Sequence, residues 1–295
     1  MSKQTGLIAV LFIFLSSCEK AISFKPKNAE PLVVVEATIE NGQPPVVILS
    51  KSLDYFSKIS EDLLANSFIR NATIDVSNGT LTHRLKEYPV PLGNGYVLYY
   101  YSTDSSNLAT AFNGEFATAY SLSITIDGKT YTSNTTIPAL AKKIDSLWWE
   151  PAPHNEDTTK VVLMGRATDP PGLGNYIRYF TRVNNGPFYP GLTSVFDDQI
   201  VDGKTYSIQI EKGVNRNQDI DFDNYSFFSR GDTVTVKLCN IDKATFDFWR
   251  TMEFAYASVG NPFSSPTKVL SNISGNGLGY FAGYAAQYHT IIIPK

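Results

Sequence analysis

Asn41-Gly42, Asn78-Gly79, Asp127-Gly128 and Asp202-Gly203 punctuate this chain between short runs of β-branched and aromatic residues. Such pairs readily take the positive φ values that a tight hairpin needs, and runs of this kind fit a pleated, half-buried surface. The rhythm points to antiparallel β architecture. Residues 32–39 read as a first strand. Asn41-Gly42 and Pro44-Pro45 turn it into a second at 46–49. The stretch 67–77 places Ile69, Ala72, Ile74 and Val76 in partial alternation, and Asn78-Gly79 returns it as 80–88 through a two-residue hairpin. Residues 96–101 are aromatic. Leu122, Ile124 and Ile126 share one face of 120–126, which Asp127-Gly128 turns into 129–132.

Residues 137–143 read as a junction to a second β-rich unit. Its strand candidates are 144–149, 160–167, 175–183, 196–201 (turned by Asp202-Gly203 into 205–210), 233–239, 280–284 and 289–293. The segment 242–257 differs: Phe246, Trp249, Phe254 and Ala257 approximate helical spacing, and Asp242 stands where an N-cap belongs. The expected fold is all-β and mainly antiparallel. An immunoglobulin-like or prealbumin-like sandwich covers 31–140. A β-sandwich or partly open barrel with one helix covers 141–295.

At the N-terminus Lys3 precedes an apolar run from Leu7 to Leu15. That run is too short to cross ~30 Å of hydrocarbon as a helix, so residues 1–17 read as a cleaved export signal. Leu15-Ser16-Ser17-Cys18 is similar to a bacterial lipobox, which makes Cys18 the lipidation site (palmitate or a related acyl chain) and 18–30 a polar tether. The net charge of −3 comes with no basic stripe, which excludes nucleic acid as a partner. Beyond Cys18 only Cys239 remains, so no disulfide forms within the mature chain; Cys239 reads as a buried, inert thiol at a strand end.

Residues with chemical potential are scattered. Asp219, Asp221 and Asp223 alternate and form a weak calcium candidate, but Asn224 stands where an EF-hand needs glycine and Arg230 where it needs glutamate. On a strand the three would form a solvated acidic edge. No other cofactor is indicated. His83, His154 and His289 lack zinc-ligand spacing; His83 reads as a surface residue and His289 as structural. There is no Gly-x-Ser-x-Gly elbow, and no catalytic residue is assigned. Gly275-Asn276-Gly277-Leu278-Gly279 lacks the lysine of a phosphate loop and reads as a tight turn with close backbone approach. Trp148, Trp149, Tyr99, Tyr101, Tyr280 and Phe281 are the candidate ligand or partner surface, because exposed aromatics mark interfaces.

Several segments together carry a resemblance. In the C-terminal third they are Asn261-Pro262-Phe263, Pro266, Ser271-Asn272-Ile273, Gly277-Leu278-Gly279-Tyr280-Phe281 and Gly283-Tyr284. Earlier come Leu32-Val33-Val34-Val35-Glu36-Ala37, Leu49-Ser50, Tyr131 through Pro138 and Gly231-Asp232-Thr233-Val234. This set resembles the DUF4249 lipoproteins, exported proteins of Bacteroidetes. The resemblance carries no established activity and transfers no functional residues. It implies an outer-membrane location, held to the bilayer by the acyl anchor, and a non-enzymatic accessory role beside a TonB-dependent receptor in nutrient uptake. No acidic run follows Cys18 to assign the cell-surface or periplasmic face. The alternatives are a stand-alone glycan- or peptide-binding module and a hydrolase with no recognisable motif.

Overall fold

The computed structural model describes residues 30–53, 60–93, 95–153, 156–259, 261 and 267–295. The export signal, Cys18, most of the tether, His154 and the 262–266 segment lie outside them. The strands are β1 (Val33–Glu40), β2 (Val46–Lys51), β3 (Thr73–Ser77), β4 (Thr82–Gly93), β5 (Tyr96–Thr103), β6 (Thr118–Ile126), β7 (Lys129–Ile137), β8 (Lys143–Pro151), β9 (Lys160–Thr168), β10 (Tyr176–Val183), β11 (Tyr189–Phe196), β12 (Thr205–Ile210), β13 (Phe228–Ser229), β14 (Thr233–Ile241) and β15 (Leu278–Ile292). Two α-helices, α1 (Glu61–Ser67) and α2 (Lys243–Ala257), and a 3₁₀ turn, Leu108–Thr110, complete the described elements. The all-β, mainly antiparallel class is as expected. None of the described helices is long and apolar enough to cross a membrane.

One sheet of eleven strands runs β11-β10-β14-β15-β1-β2-β5-β4-β3-β6-β7. Its center is β15. Leu278 to Tyr284 pair in parallel with β1, and Ala285 to Ile292 pair antiparallel with β14. One strand therefore joins two β layers end to end. Phe281 and Ala285 enter a core with Val35, Ala37, Ile39, Leu49, Ile74, Leu122 and Ile124. That core closes because the sheet rolls until β7 lies against β15, without closing into a barrel. The contact is tight: a Cβ on Gly283 would sit 2.5 Å from the Thr136 carbonyl oxygen, and one on Gly279 would sit 1.9 Å from that of Val35. The glycine-rich turn thus serves the backbone approach read from sequence.

Beyond β15 a smaller sheet of β8, β9, β12 and β13 covers the same face of β10 and β14. Ile144, Val161, Leu163 and Phe228 pack there against Ile177, Val234, Val236 and Leu238. The opposite face carries α2, over Cys239, Ile241, Ala282 and Tyr284. Asp242 caps this helix by accepting from Thr245 N–H, 2.8 Å. Its other oxygen accepts from Thr135 Oγ1 at 2.9 Å and Thr136 N–H at 3.0 Å, which ties the helix start to β7. Beneath α2, Arg178 lies 3.4 Å from the Trp249 ring center and donates to Ser194 and Tyr284. Cys239 is fully buried, which pushes its thiol up to about 12 and keeps it an unreactive thiol.

Some local readings change. Asp127 and Gly128 take φ of 49° and 77° in the expected two-residue hairpin. Asn78-Gly79 instead begins a wider loop, because Asn78 Oδ1 accepts from Thr80 and Leu81 N–H and the first pair is Ser77 with Thr82. The two C-terminal strand candidates are one continuous strand. Residues 197–201 form no strand: the one before them is β11, and β12 pairs with β9. Helix α1 carried no apolar periodicity.

Two substitutions test this frame. Asp242→Ala is expected to lower stability by ~1–3 kcal/mol, the combined loss of a helix cap and a tie to β7, measured by urea unfolding. Gly279 holds φ 98° against the Val35 backbone. Gly279→Ala is therefore expected to cost well over ~1 kcal/mol, and an unchanged midpoint would contradict the β1–β15 packing.

Candidate functional site

The small sheet and the large one end in unpaired edges on the same side, β12 on one and β11 on the other. Between them lies a cavity of about 860 Å³. Ile144, Ala167 and Ile210 line it from the small sheet, and Ile177, Val236 and Leu238 from the large one. Alternation explains these walls: residues of one parity on β14 face the small sheet, while Cys239 and Ile241 face α2. Apolar surface predominates in the walls, with polar side chains set among it. Tyr225 donates to Glu211 Oε2 at 3.1 Å. Burial raises the Tyr179 hydroxyl well above the ordinary phenol range, so it stays neutral. Arg166, Tyr206, Gln209 and Arg250 also line it. A second cleft, about 710 Å³, lies across β11 between Leu192, Phe222 and the α2 residues Phe254 and Ala257. Leu192, Thr193 and Val195 line both spaces.

Lys142 and the turn after β11, through Asp197, Ile200 and Val201, also line the cavity. Lys142 is fixed by its backbone. Its N–H donates to Asn240 Oδ1 at 2.8 Å, and its carbonyl accepts from Asn240 Nδ2 and Gln287 Nε2, each at 2.9 Å. Its ammonium lies 2.7 Å from Asp169 Oδ1, and both side chains are at most 1% exposed. Asp198 and Asp202, from the same turn, place a carboxylate oxygen within 4.8 Å of Asp169 and of each other. Asp198 accepts from the N–H groups of Gly174 and Asn175 at 2.9 and 2.8 Å, and Asp202 from Gly172 N–H at 2.7 Å. Burial alone would raise the Asp198 carboxyl; the Asn175 and Gly174 N–H groups outweigh it and hold it below the usual carboxylate range.

The sequence-derived candidates fall elsewhere. Tyr101 and Phe281 are core, 2% and 0% exposed. The Tyr101 hydroxyl meets Glu87 and Ala72 N–H, and burial pushes it up to about 12. Tyr280 lies under α2, its ring center 4.7 Å from Phe248 and 4.9 Å from Trp249. The Tyr99 ring is covered by Arg70 at 4.0 Å. Trp149 packs on the second core with Arg230 over it at 4.8 Å, and half-buried Trp148 donates to Glu150. These aromatics do not form one surface.

Asp219, Asp221 and Asp223 lie in exposed turns and do not converge. Asp221 spends its oxygens on Asn224 Nδ2 and Asp223 N–H. His83, expected at the surface, is 1% exposed: its Nε2 accepts from Asp104 N–H and its Nδ1 meets Thr110 Oγ1. His289 contacts Gln287. Sequence reading missed Asp169, Asp198, Asp202 and Lys142. Lys142, Asp169 and the Asp198/Asp202 turn are separated by tens of residues, which leaves no local pattern, and Asp202-Gly203 looked like a hairpin turn.

The Asp198 shift has a pH consequence. A carboxyl held below its unfolded value of ~3.9 contributes stability that is complete above about pH 5 and is lost as pH falls through the folded value. In EDTA, urea-unfolding stability should fall from pH 5 toward pH 3, and fall less in Asp198→Asn. Parallel curves would remove Asp198 from this role.

No curated protein matches this sequence. The family described as "Domain of unknown function (DUF4249)" matches residues 19–289, nearly all of the chain after Cys18. The chain belongs to the DUF4249 family.

Proposed function

We propose that this protein is a lipid-anchored binding protein of the bacterial outer membrane, a non-enzymatic accessory that holds a small ligand for a TonB-dependent receptor. The observation that carries the binding role is the 860 Å³ cavity between the two sheets. Its size is that of a small-molecule site, with mostly apolar walls and polar side chains among them to orient a ligand. The ligand class that fits is amphipathic: an apolar body against Ile177, Val236 and Leu238, with polar ends toward Arg166 and Glu211. The anchor is read from Leu15-Ser16-Ser17-Cys18, and the receptor from the resemblance to exported family members.

Two measurements test this. The apolar anion 1-anilinonaphthalene-8-sulfonate, titrated into the protein, should bind saturably with enhanced fluorescence. Thr193→Trp, at an exposed rim position, should weaken it at least ~10-fold, the effect of filling a pocket, with an unchanged circular dichroism spectrum. Equal binding by the variant would place the probe outside the cavity. For the anchor, wild type should fractionate with outer membranes and co-purify a TonB-dependent receptor in mild detergent, and Cys18→Ala should be released. Membrane retention of Cys18→Ala, or wild type free of any receptor, would sink the accessory role.

A further inference from the structure

The turn after β11 that lines the cavity holds more negative charge than its surroundings balance. Asp169, Asp198 and Asp202 bring three carboxylates together, with oxygens within 4.8 Å of one another. Among the described residues Lys142 is the one cationic side chain within 4.0 Å of them. Three carboxylates and one ammonium leave a site two charges short of neutral. Asp169 adds an independent observation. Its side chain is fully buried and Oδ1 meets the Lys142 ammonium at 2.7 Å, yet Oδ2 accepts no hydrogen bond, although buried polar groups are normally paired. That unpartnered oxygen belongs to a carboxylate that stands within reach of those of Asp198 and Asp202.

The geometry points to a calcium site formed by Asp169, Asp198 and Asp202. Two oxygens bound to one Ca²⁺ at ~2.4 Å can be at most ~4.8 Å apart, and these three fit that limit. Mg²⁺ demands near-ideal octahedral geometry and gives up its water reluctantly, so a cage of protein carboxylates suits it less. The N–H groups of Gly172, Gly174 and Asn175 occupy some lone pairs of Asp198 and Asp202 and fix their orientation, while the Asp169 carboxylate supplies the third side of the cage. Backbone carbonyls and water would supply the remaining ligands that calcium takes. The ion would pin the turn bearing Asp197, Ile200 and Val201 to the loop after β9. The site goes beyond the ligand-binding role and does not rest on it, since calcium alone is the probe.

The full chain, stripped with EDTA, is titrated with CaCl₂ by calorimetry. One saturable site is expected, with an affinity of ~10⁻³ M or tighter, the range of extracellular calcium modules, together with a rise in Tm. MgCl₂ should bind at least ~10-fold more weakly, as its stricter geometry and reluctant dehydration require. Asp202→Asn, at a half-buried position, should weaken calcium at least ~10-fold through the lost ligand charge. Terbium gives a readout of place. Lys142 Nζ is 5.4 Å from the Tyr206 ring center and 2.7 Å from Asp169, so Tyr206 should sensitise Tb³⁺ luminescence. Tyr206→Leu should dim it while leaving calcium affinity intact. No calcium binding by the folded protein would overturn the assignment. So would binding unchanged in both Asp202→Asn and Asp169→Asn, or Tb³⁺ emission indifferent to Tyr206→Leu.

Discussion

Strand β15 gives half its length to each of two β layers, and the rest of the molecule is arranged by that division. Its first seven pairings are parallel to β1 and its last eight antiparallel to β14. The C-terminal residues of the chain therefore complete the core begun at Val35 as well as the one built around Val234 and Val236. Parallel pairing needs a long crossover, and here nearly the whole chain is that crossover. Buried on both faces from Phe281 to Ala286, the strand reads as an almost continuous apolar and small-residue run rather than a clean alternation.

The site follows from this junction. Asn240 on β14 and Gln287 on β15 use their amides to bind the backbone of Lys142 and Ile144. That fixes where the chain leaves the first core and starts β8, and it carries the Lys142 ammonium into a buried place where only a carboxylate can compensate it. A buried pair of this kind is costly to break, ~3–5 kcal/mol when one partner is removed. Asp169 thus serves the fold through Oδ1, and its Oδ2 has no hydrogen-bond partner. The same small sheet that needs this bolt supplies one cavity wall.

Much of the architecture was legible because it depends on local chemistry. The Asp127-Gly128 hairpin follows from two residues that tolerate positive φ. Helix α2 follows from Asp242 and the spacing of Phe246 and Trp249. The turn at Gly275–Gly279 follows from glycine where no Cβ fits. What was not legible depends on distance along the chain. Nothing near Leu278 says that it pairs with Val34, and nothing near Asp198 says that it meets Asp169. Two of the aromatic candidates, Tyr101 and Phe281, are core for a physical reason: they carry no sequence mark separating a ring in a core from a ring on a surface. Tyr280 packs against a helix whose docking face only the fold defines. The strand expected at 196–201 erred because its apolar residues Ile200 and Val201 line a cavity instead of a ladder.

If β15 is the shared element, the two layers cannot open independently. Native-state hydrogen exchange measures this directly, since amides of one cooperative unit exchange with one free energy. The amides of 280–284, paired with β1, and of 288–292, paired with β14, should become accessible together at every denaturant concentration. Exchange of the 288–292 group at distinctly lower free energy, with 280–284 still protected, would show two separately folding layers and contradict the account.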